Sequence, residues 1–153
     1  NNSTFPYKTG IILSSGFVSN APGPNQQDNS NGSNNWLGDD DLEIYTSTNN
    51  SNNASFIQFD FVPRISQISF NFIFASEELN QNFECFYSDA FAFILTDQVT
   101  GTVQNLAILP GTDIPIEATN IHPDVPGGCP AINEEFFDRY NRLQLMYILQ
   151  TYL

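Results

Sequence analysis

The stretch from Ser69 to Thr96 limits most strongly what this chain can fold into, because two apolar runs enclose an acidic loop. The first run, Ser69 to Ala75, alternates phenylalanine with other residues, which is the period of a half-buried β-strand. The second run, Ala90 to Leu95, is almost continuously apolar and is typical of a strand covered on both faces. The stretch therefore predicts two core strands joined by a charged loop.

The acidic loop and a cluster upstream of it could together hold a cation. Adjacent carboxylates stand at Glu77 and Glu78, and Asp89 directly precedes the second run. Upstream, Asp39 and Asp41 alternate, so in an extended chain both side chains face the same way. Because Ca²⁺ takes oxygen ligands from flexible, separate segments, we predict a calcium site formed by Asp39, Asp41, Glu77, Glu78 and Asp89. The alternative is that these carboxylates accept backbone N–H bonds and cap turns.

Composition favours an extracellular all-β protein. Of the 153 residues, 41% are apolar and 14% are aromatic, mostly Phe, which suits half-buried pleated surface. The net charge of −13 repels nucleic-acid phosphates and anionic lipid, so we exclude nucleic acid as a partner and expect no direct membrane insertion. The polar, uncharged opening Asn1 to Thr4 is no signal peptide, so we expect a processed form or an excised piece of a secreted protein.

Short apolar runs separated by loops rich in Asn, Pro, Gly and Ser indicate seven to eight strands. Thr9 to Val18 is the first, and Ser55 to Val62 is predicted to form a hairpin with Ile65 to Ala75, with Ile57, Phe59 and Phe61 facing the core. Ala131 to Asn141 has helical spacing, and Arg142 to Leu153 is a terminal strand or an amphipathic helix, of which we favour the strand. We predict a single domain over residues 1–153, a two-sheet antiparallel β-sandwich of jelly-roll or lectin-like type with at most one or two short helices.

The two cysteines, Cys85 and Cys129, fit one disulfide in an oxidising compartment, and two free buried thiols are the alternative. For catalysis the sequence offers little. The single histidine, His122, lies in a loop rich in Pro and Gly and is interpreted as structural, and no nucleophile elbow or phosphate-binding loop is present. We predict that the protein is not an enzyme, with a two-carboxylate glycosidase as the remaining enzymatic alternative. Trp36 and Tyr87, beside the acidic segments, could stack on sugar rings, and the alternative that we favour for Trp36 is a place in the core.

Seven motifs occur in an order that resembles a known family. They are GIILSSG from Gly10, AxGPN from Ala21, GDxDL from Gly38, FDFVP from Phe59, FxFxFASEE from Phe70, SDAFAFIL from Ser88 and NLAILPGTDIPI from Asn105. Together they resemble the choice-of-anchor L domain of bacterial surface and secreted proteins, common in Bacteroidota, over about residues 10–140. The DAFAFIL segment also resembles a strand of legume-type lectins, in which the Asp that matches Asp89 helps to hold Ca²⁺. The segment 142–153 does not match what we expect of the family there, so terminal strands could be missing or replaced.

The family resemblance implies a non-catalytic extracellular module of adhesin-like proteins. We therefore expect a protein of the bacterial cell surface or exterior, supported by Ca²⁺, that acts in adhesion or as a structural unit of a surface filament. Its partners would be other surface proteins or copies of itself, joined by strand addition at an open sheet edge. The alternative function is a lectin-like module that binds glycans through Trp36 and Tyr87.

Overall fold

A computed structural model describes residues 7–20, 31–79, 82–138 and 149–152. Within these ranges the chain is mainly β, as the sequence predicts. The strands are β1 (Ser69–Phe72), β2 (Ala90–Phe91), β3 (Ile94–Thr96), β4 (Val103–Asn105), β5 (Ile116–Glu117) and β6 (Leu149–Tyr152). One α-helix, α1, spans Asp40–Tyr45, and 3-10 turns lie at Val18–Asn20, Phe83–Cys85, Ala118–Asn120 and Glu134–Phe136.

The strands pair antiparallel in three small sheets of two strands each, β1–β6, β2–β5 and β3–β4. The register of β1–β6 sets Ser69 opposite Tyr152, and that of β2–β5 sets Phe91 opposite Ile116. In β3–β4, Ile94 lies opposite Asn105 across the turn that begins at Asp97. Because the described ranges contain three separate sheets, the two-sheet sandwich stays a prediction.

The apolar run from Ala90 to Thr96 changes partner in its middle, and one asparagine explains the change. Asn105 Oδ1 accepts a hydrogen bond from the backbone N–H of Phe93, at 3.0 Å, and another from that of Ala107, at 2.9 Å. The side chain thereby takes a position that a backbone carbonyl would hold in a continuous ladder. The predicted single strand is accordingly divided into β2, which pairs with β5, and β3, which pairs with β4.

The core lies where β1 packs against the apolar run that contains β2. Two ring pairs join these segments, Phe70 with Phe93 at 4.7 Å and Phe72 with Phe91 at 4.9 Å between centroids. Around them is a buried cluster made of Phe74, Leu79, Ala107, Leu109, Ile116, Ala118 and Ile121. The alternation of phenylalanines in β1 therefore does mark the core face, as the sequence indicates.

The hairpin predicted between Ser55 to Val62 and Ile65 to Ala75 is not formed. We name residues 55–65 the open segment. The described part of the chain provides this segment with no strand partner, because β1 pairs with β6 instead. Its six large apolar side chains are exposed on both faces: Phe56, Ile57, Phe59, Phe61, Val62 and Ile65. These include Ile57, Phe59 and Phe61, which were predicted to face the core. The strand predicted for Thr9 to Val18 is likewise irregular, apart from the 3-10 turn at its end.

The C-terminal predictions are confirmed in part. Strand β6 shows that Leu149–Tyr152 is β, in agreement with the strand that we favoured, and residues 142–148 and 153 lie outside the described ranges. The helix predicted for Ala131 to Asn141 is a single 3-10 turn, Glu134–Phe136, as far as the description extends at residue 138.

Candidate functional site

The acidic loop is fastened at its base by one buried serine. The Ser76 hydroxyl donates to Asp89 Oδ2 at 2.6 Å, and Ser76 Oγ accepts a hydrogen bond from the backbone N–H of Glu78 at 3.0 Å. Asp89 is further tied to the core, since its backbone carbonyl accepts from the N–H of Ala118 at 3.0 Å. Ser76 thus joins the two ends of the loop, and Asp89 serves as the acceptor that a loop closure requires.

A disulfide fastens the far side of the same loop. Cys85, at the end of the 3-10 turn Phe83–Cys85, is bonded to Cys129 across a sequence separation of 44. The bridge predicted from the two cysteines is therefore confirmed, and the alternative of two free thiols is wrong. Beside it, the ring of His122 is buried, with Nε2 3.8 Å from Cys129 Sγ.

The upstream acidic cluster forms a helix start instead of the extended chain that our calcium argument assumed. Asp39 is the N-cap of α1, and its Oδ1 accepts the backbone N–H of Leu42 at 2.9 Å. The acids of the first turn, which include Asp41, face the positive end of the backbone dipoles. Asp39 is therefore placed by helix capping and Asp41 by the first turn of α1, so the premise of an extended chain with alternating side chains is wrong.

The five predicted calcium ligands are not brought together as one group. Asp39, Glu77 and Asp89 line a broad crevice between the open segment and the strands β2 and β3, whereas Asp41 and Glu78 lie outside its lining. Among the described residues, no three His, Cys, Asp or Glu side chains are grouped so that they could hold a metal. Any ion here would depend on backbone or water oxygens for most of its ligands.

The two aromatic residues predicted for sugar binding are placed differently from each other. The Trp36 indole N–H donates to the backbone carbonyl of Ala54 at 2.7 Å, and the half-buried ring fastens the loop after α1. Tyr87 is exposed, and its ring meets Phe83 edge-on at 6.0 Å between centroids. Trp36 has a structural role in this arrangement, and glycan binding stays a prediction.

A buried carboxylate that the sequence reasoning missed lies in β5. Glu117 is 2% exposed, and its Oε1 accepts the backbone N–H of Ser47 at 2.5 Å while Oε2 accepts from Asn120 Nδ2 at 3.3 Å. Burial raises the pKa of Glu117 above its usual 4.5, against the opposing hydrogen bonds from Ser47 and Thr46. Glu117 thus joins the end of α1 to the core, and no local pattern marks a contact between residues so far apart in sequence.

Comparison with known protein families assigns this chain to a family. The family model of the choice-of-anchor L domain matches residues 1–152. The chain belongs to the choice-of-anchor L domain family. The match extends beyond the 10–140 span of the motifs and includes most of the segment 142–153 that we expected to be atypical. No curated protein and no solved structure gives a significant match.

Family membership fixes the broad class of this protein. A choice-of-anchor L domain is a surface-associated module and not a known enzyme family, and it indicates a cell-surface or extracellular protein. In the ranges that the structure describes, no helix is both long and apolar enough to cross a membrane. The disulfide that fastens the acidic loop is consistent with an oxidising location outside the cell.

Proposed function

We propose that this choice-of-anchor L domain is a non-catalytic structural and adhesive unit of a bacterial surface assembly, which joins a second copy by strand addition. The observation that carries this proposal is the open segment. It contains a run of alternating side chains that matches a β-strand, and the described residues give it no ladder partner. An unpaired, apolar strand is a ready template for pairing with another chain.

The exposed side chains of the open segment support an interface more than a solvated loop. Phe56 is 72% exposed and Val62 is 86% exposed, on the face opposite Ile57 and Phe59, which are exposed as well. Monomeric proteins rarely leave a contiguous apolar surface of this kind in water. Covering both faces of the segment would bury its aromatic rings and pair its backbone in one step.

A second copy fits this segment for two reasons. The open segment contains one acid, Asp60, and one base, Arg64, so it is locally neutral although the chain has a net charge of −13. The same chain also exposes a second apolar run along the same crevice, with Ile11, Ile12, Leu13 and Phe17. Each copy therefore offers two exposed apolar segments, 11–17 and 55–65, that would extend into strands when copies pair, and repeated pairing would form sheets along a filament.

Light scattering over a concentration series tests the assembly. We expect wild-type protein to form dimers or larger species as its concentration rises. The substitution Phe59→Lys places a charge in the middle of the open segment, so we expect it to weaken association at least tenfold, about 1.4 kcal/mol. Ile44→Lys is the matched control, because Ile44 is 68% exposed on α1, outside both the open segment and the lining of the crevice.

Three outcomes would contradict the proposal. A wild-type protein that stays strictly monomeric at millimolar concentration would show that the segment does not pair copies of this chain. Association that Phe59→Lys and Ile44→Lys weaken equally would place the interface elsewhere. Binding of the open segment only to a different surface protein would identify another occupant.

Calcium is proposed as a support of this unit, and calorimetry after chelation tests it. Glu77 and Asp89 line the crevice, and backbone oxygens there could complete the ligand set. We expect a heat of binding and a rise in melting temperature, since an ion at 100 times its Kd stabilises the folded state by about 2.7 kcal/mol. Asp89→Asn should weaken binding, and the control Asp113→Asn should not, because Asp113 is exposed and lies outside the crevice lining. No heat and no shift would refute calcium binding.

A further inference from the structure

The run of residues 12–17, which we name the N-terminal run, lies along the same crevice as the open segment and is exposed except at two half-buried positions. It ends at the 3-10 turn Val18–Asn20. In the open segment, residues 57–62 end at Pro63, which has no N–H to donate to a strand ladder. An antiparallel ladder that fills the space between these two boundaries pairs all six residues of each stretch.

That ladder sorts the side chains of both stretches by polarity. The opposite pairs are Ile57 with Phe17, Gln58 with Gly16, Phe59 with Ser15, Asp60 with Ser14, Phe61 with Leu13 and Val62 with Ile12. Because alternate residues face opposite sides, one face receives five large apolar side chains and one serine, while the carboxylate and the amide lie on the other face. A register shifted by one position would lose this division.

Two contacts in the described conformation suit this pairing. The rings of Phe59 and Phe61 are 6.0 Å apart between centroids, as expected of residues two apart that share one face of an extended chain. The Ser14 hydroxyl oxygen accepts the backbone N–H of Gly16 at 3.1 Å, so its own hydrogen can be donated elsewhere. The exposed carboxylate of Asp60, which the ladder sets opposite Ser14, is an acceptor for that hydrogen.

The occupant of the open segment that these features favour is the N-terminal run of a second copy. The described residues of one chain leave both stretches exposed and give neither a ladder partner. Two copies with a net charge of −13 each repel one another, but the N-terminal run carries no charge and the open segment contains one acid and one base. These two stretches therefore approach each other without the repulsion that the rest of the surface provides.

Pairing of residues 57–62 with the same residues of a second copy is less favourable. In full antiparallel overlap, Asp60 lies opposite Phe59 and Gln58 opposite Phe61, so both faces mix polar with apolar side chains. A shift by one position matches the faces but sets the two Asp60 carboxylates opposite or diagonal to each other, where like charges repel. The N-terminal run avoids both conflicts, because it sets a serine opposite Asp60.

We propose that residues 12–17 of one copy form an antiparallel strand pair with residues 57–62 of the next copy, with Ser14 opposite Asp60. This inference rests on the proposed function and names the segment that the second copy contributes. The contact is heterologous, since each copy gives one stretch and receives another. Such a contact repeats from copy to copy and builds a filament unless its rotation closes a ring, whereas self-pairing of residues 57–62 would stop at a dimer.

Disulfide trapping between single-cysteine variants tests the register. The native bridge Cys85–Cys129 leaves no free thiol, so Ser14→Cys and Asp60→Cys each add one reactive sulfur. After the two variants are mixed and mildly oxidised, we expect a heterodimer linked between these positions. Its yield should be at least about tenfold higher than with Ser47→Cys in place of Ser14→Cys, because paired residues meet at a high effective concentration. Ser47→Cys is the matched control, since Ser47 is exposed and lies outside the crevice lining.

Charge exchange at the same pair gives an independent measurement by light scattering. Ser14→Lys sets a cation opposite Asp60 and should tighten association about threefold, whereas Ser14→Asp should weaken it by a similar factor. Both effects should vanish when Asp60→Asn is added, because a direct contact between the two side chains predicts coupling of the two substitutions.

The outcomes separate this pairing from the proposed function. If the wild type does not associate, both fail. If it associates and Phe59→Lys weakens it, but Asp60→Cys is trapped with itself or is not trapped with Ser14→Cys, copies pair through another segment and this inference alone fails. A bridge within single chains of the double variant Ser14→Cys/Asp60→Cys, at a concentration where the protein is monomeric, would show that the run closes on its own open segment and would overturn the pairing between copies. Should the cysteine variants not fold by circular dichroism, the charge exchange decides.

Discussion

Replacing Cys85 and Cys129 together by serine is expected to lower the free energy of unfolding by about 4 kcal/mol. The two residues are 44 apart in sequence, so the bridge removes the conformations of a long loop from the unfolded chain. The fully buried hydrophobic core is small, with eight residues in the described ranges. A loss of this size is a large part of the stability of an ordinary domain, and we expect the variant to be partly unfolded at 37 °C.

Urea unfolding followed by circular dichroism measures this loss. Wild-type protein kept in a strong reductant is the matched control, because it loses the bridge without a change of side chain. Both samples should show the same fall in the denaturation midpoint. If the free energy of unfolding falls by less than about 1 kcal/mol in either sample, the acidic loop is held by its hydrogen bonds and packing, and the disulfide adds little stability.

Lowering the pH from 7 to 5 is expected to stabilise the folded protein through Glu117. Burial raises the pKa of Glu117 above its usual 4.5, so in this window the folded state binds more protons than the unfolded state. The stability that Glu117 contributes is therefore fully present below pH 4.5 and is lost as the pH rises through its folded-state pKa. Glu117→Gln retains an acceptor for the backbone N–H of Ser47 and should remove this part of the pH dependence.

The free energy of unfolding is measured at several pH values in the wild type and in the variants. The difference between them separates the contribution of Glu117 from the effect of the overall net charge. Glu43→Gln is the control, because Glu43 has a pKa lowered by hydrogen bonds from Ser51, which gives a dependence of opposite sign. Glu117→Ala removes the acceptor altogether and should cost about 1–3 kcal/mol at either pH. If the free energy of unfolding changes with pH in the same way in the wild type and in Glu117→Gln, Glu117 does not contribute the pH-dependent stability that we predict.

Local sequence patterns predicted those parts of the structure that depend on neighbours along the chain. The alternation of phenylalanines located the core face of β1. The family itself followed from ordered motifs, and the bridge followed from the presence of two cysteines in a chain of extracellular composition. These predictions succeeded because the residues that form the pattern are neighbours in sequence or, for the disulfide, because each cysteine has only one possible partner.

The predictions that failed depend on contacts between distant segments or on competing local bonds. Alternation in the open segment marks two faces of a strand, but it does not tell what covers either face. The extended conformation that we assumed for residues 39–41 is replaced by a helix start, because the backbone N–H of Leu42 is a nearby partner for Asp39 that needs no long-range assembly. The contact of Glu117 with Ser47 joins residues 70 apart, so its burial could not be inferred from sequence period.

The pairing of β1 with β6 has a consequence for when the protein can fold. Ser69 lies opposite Tyr152, so β1 cannot find its partner until roughly 80 further residues have been synthesised. Until then β1 has no strand partner, so the sheet that it forms with β6 closes late in synthesis. The four residues 149–152 therefore decide when β1 becomes part of a sheet.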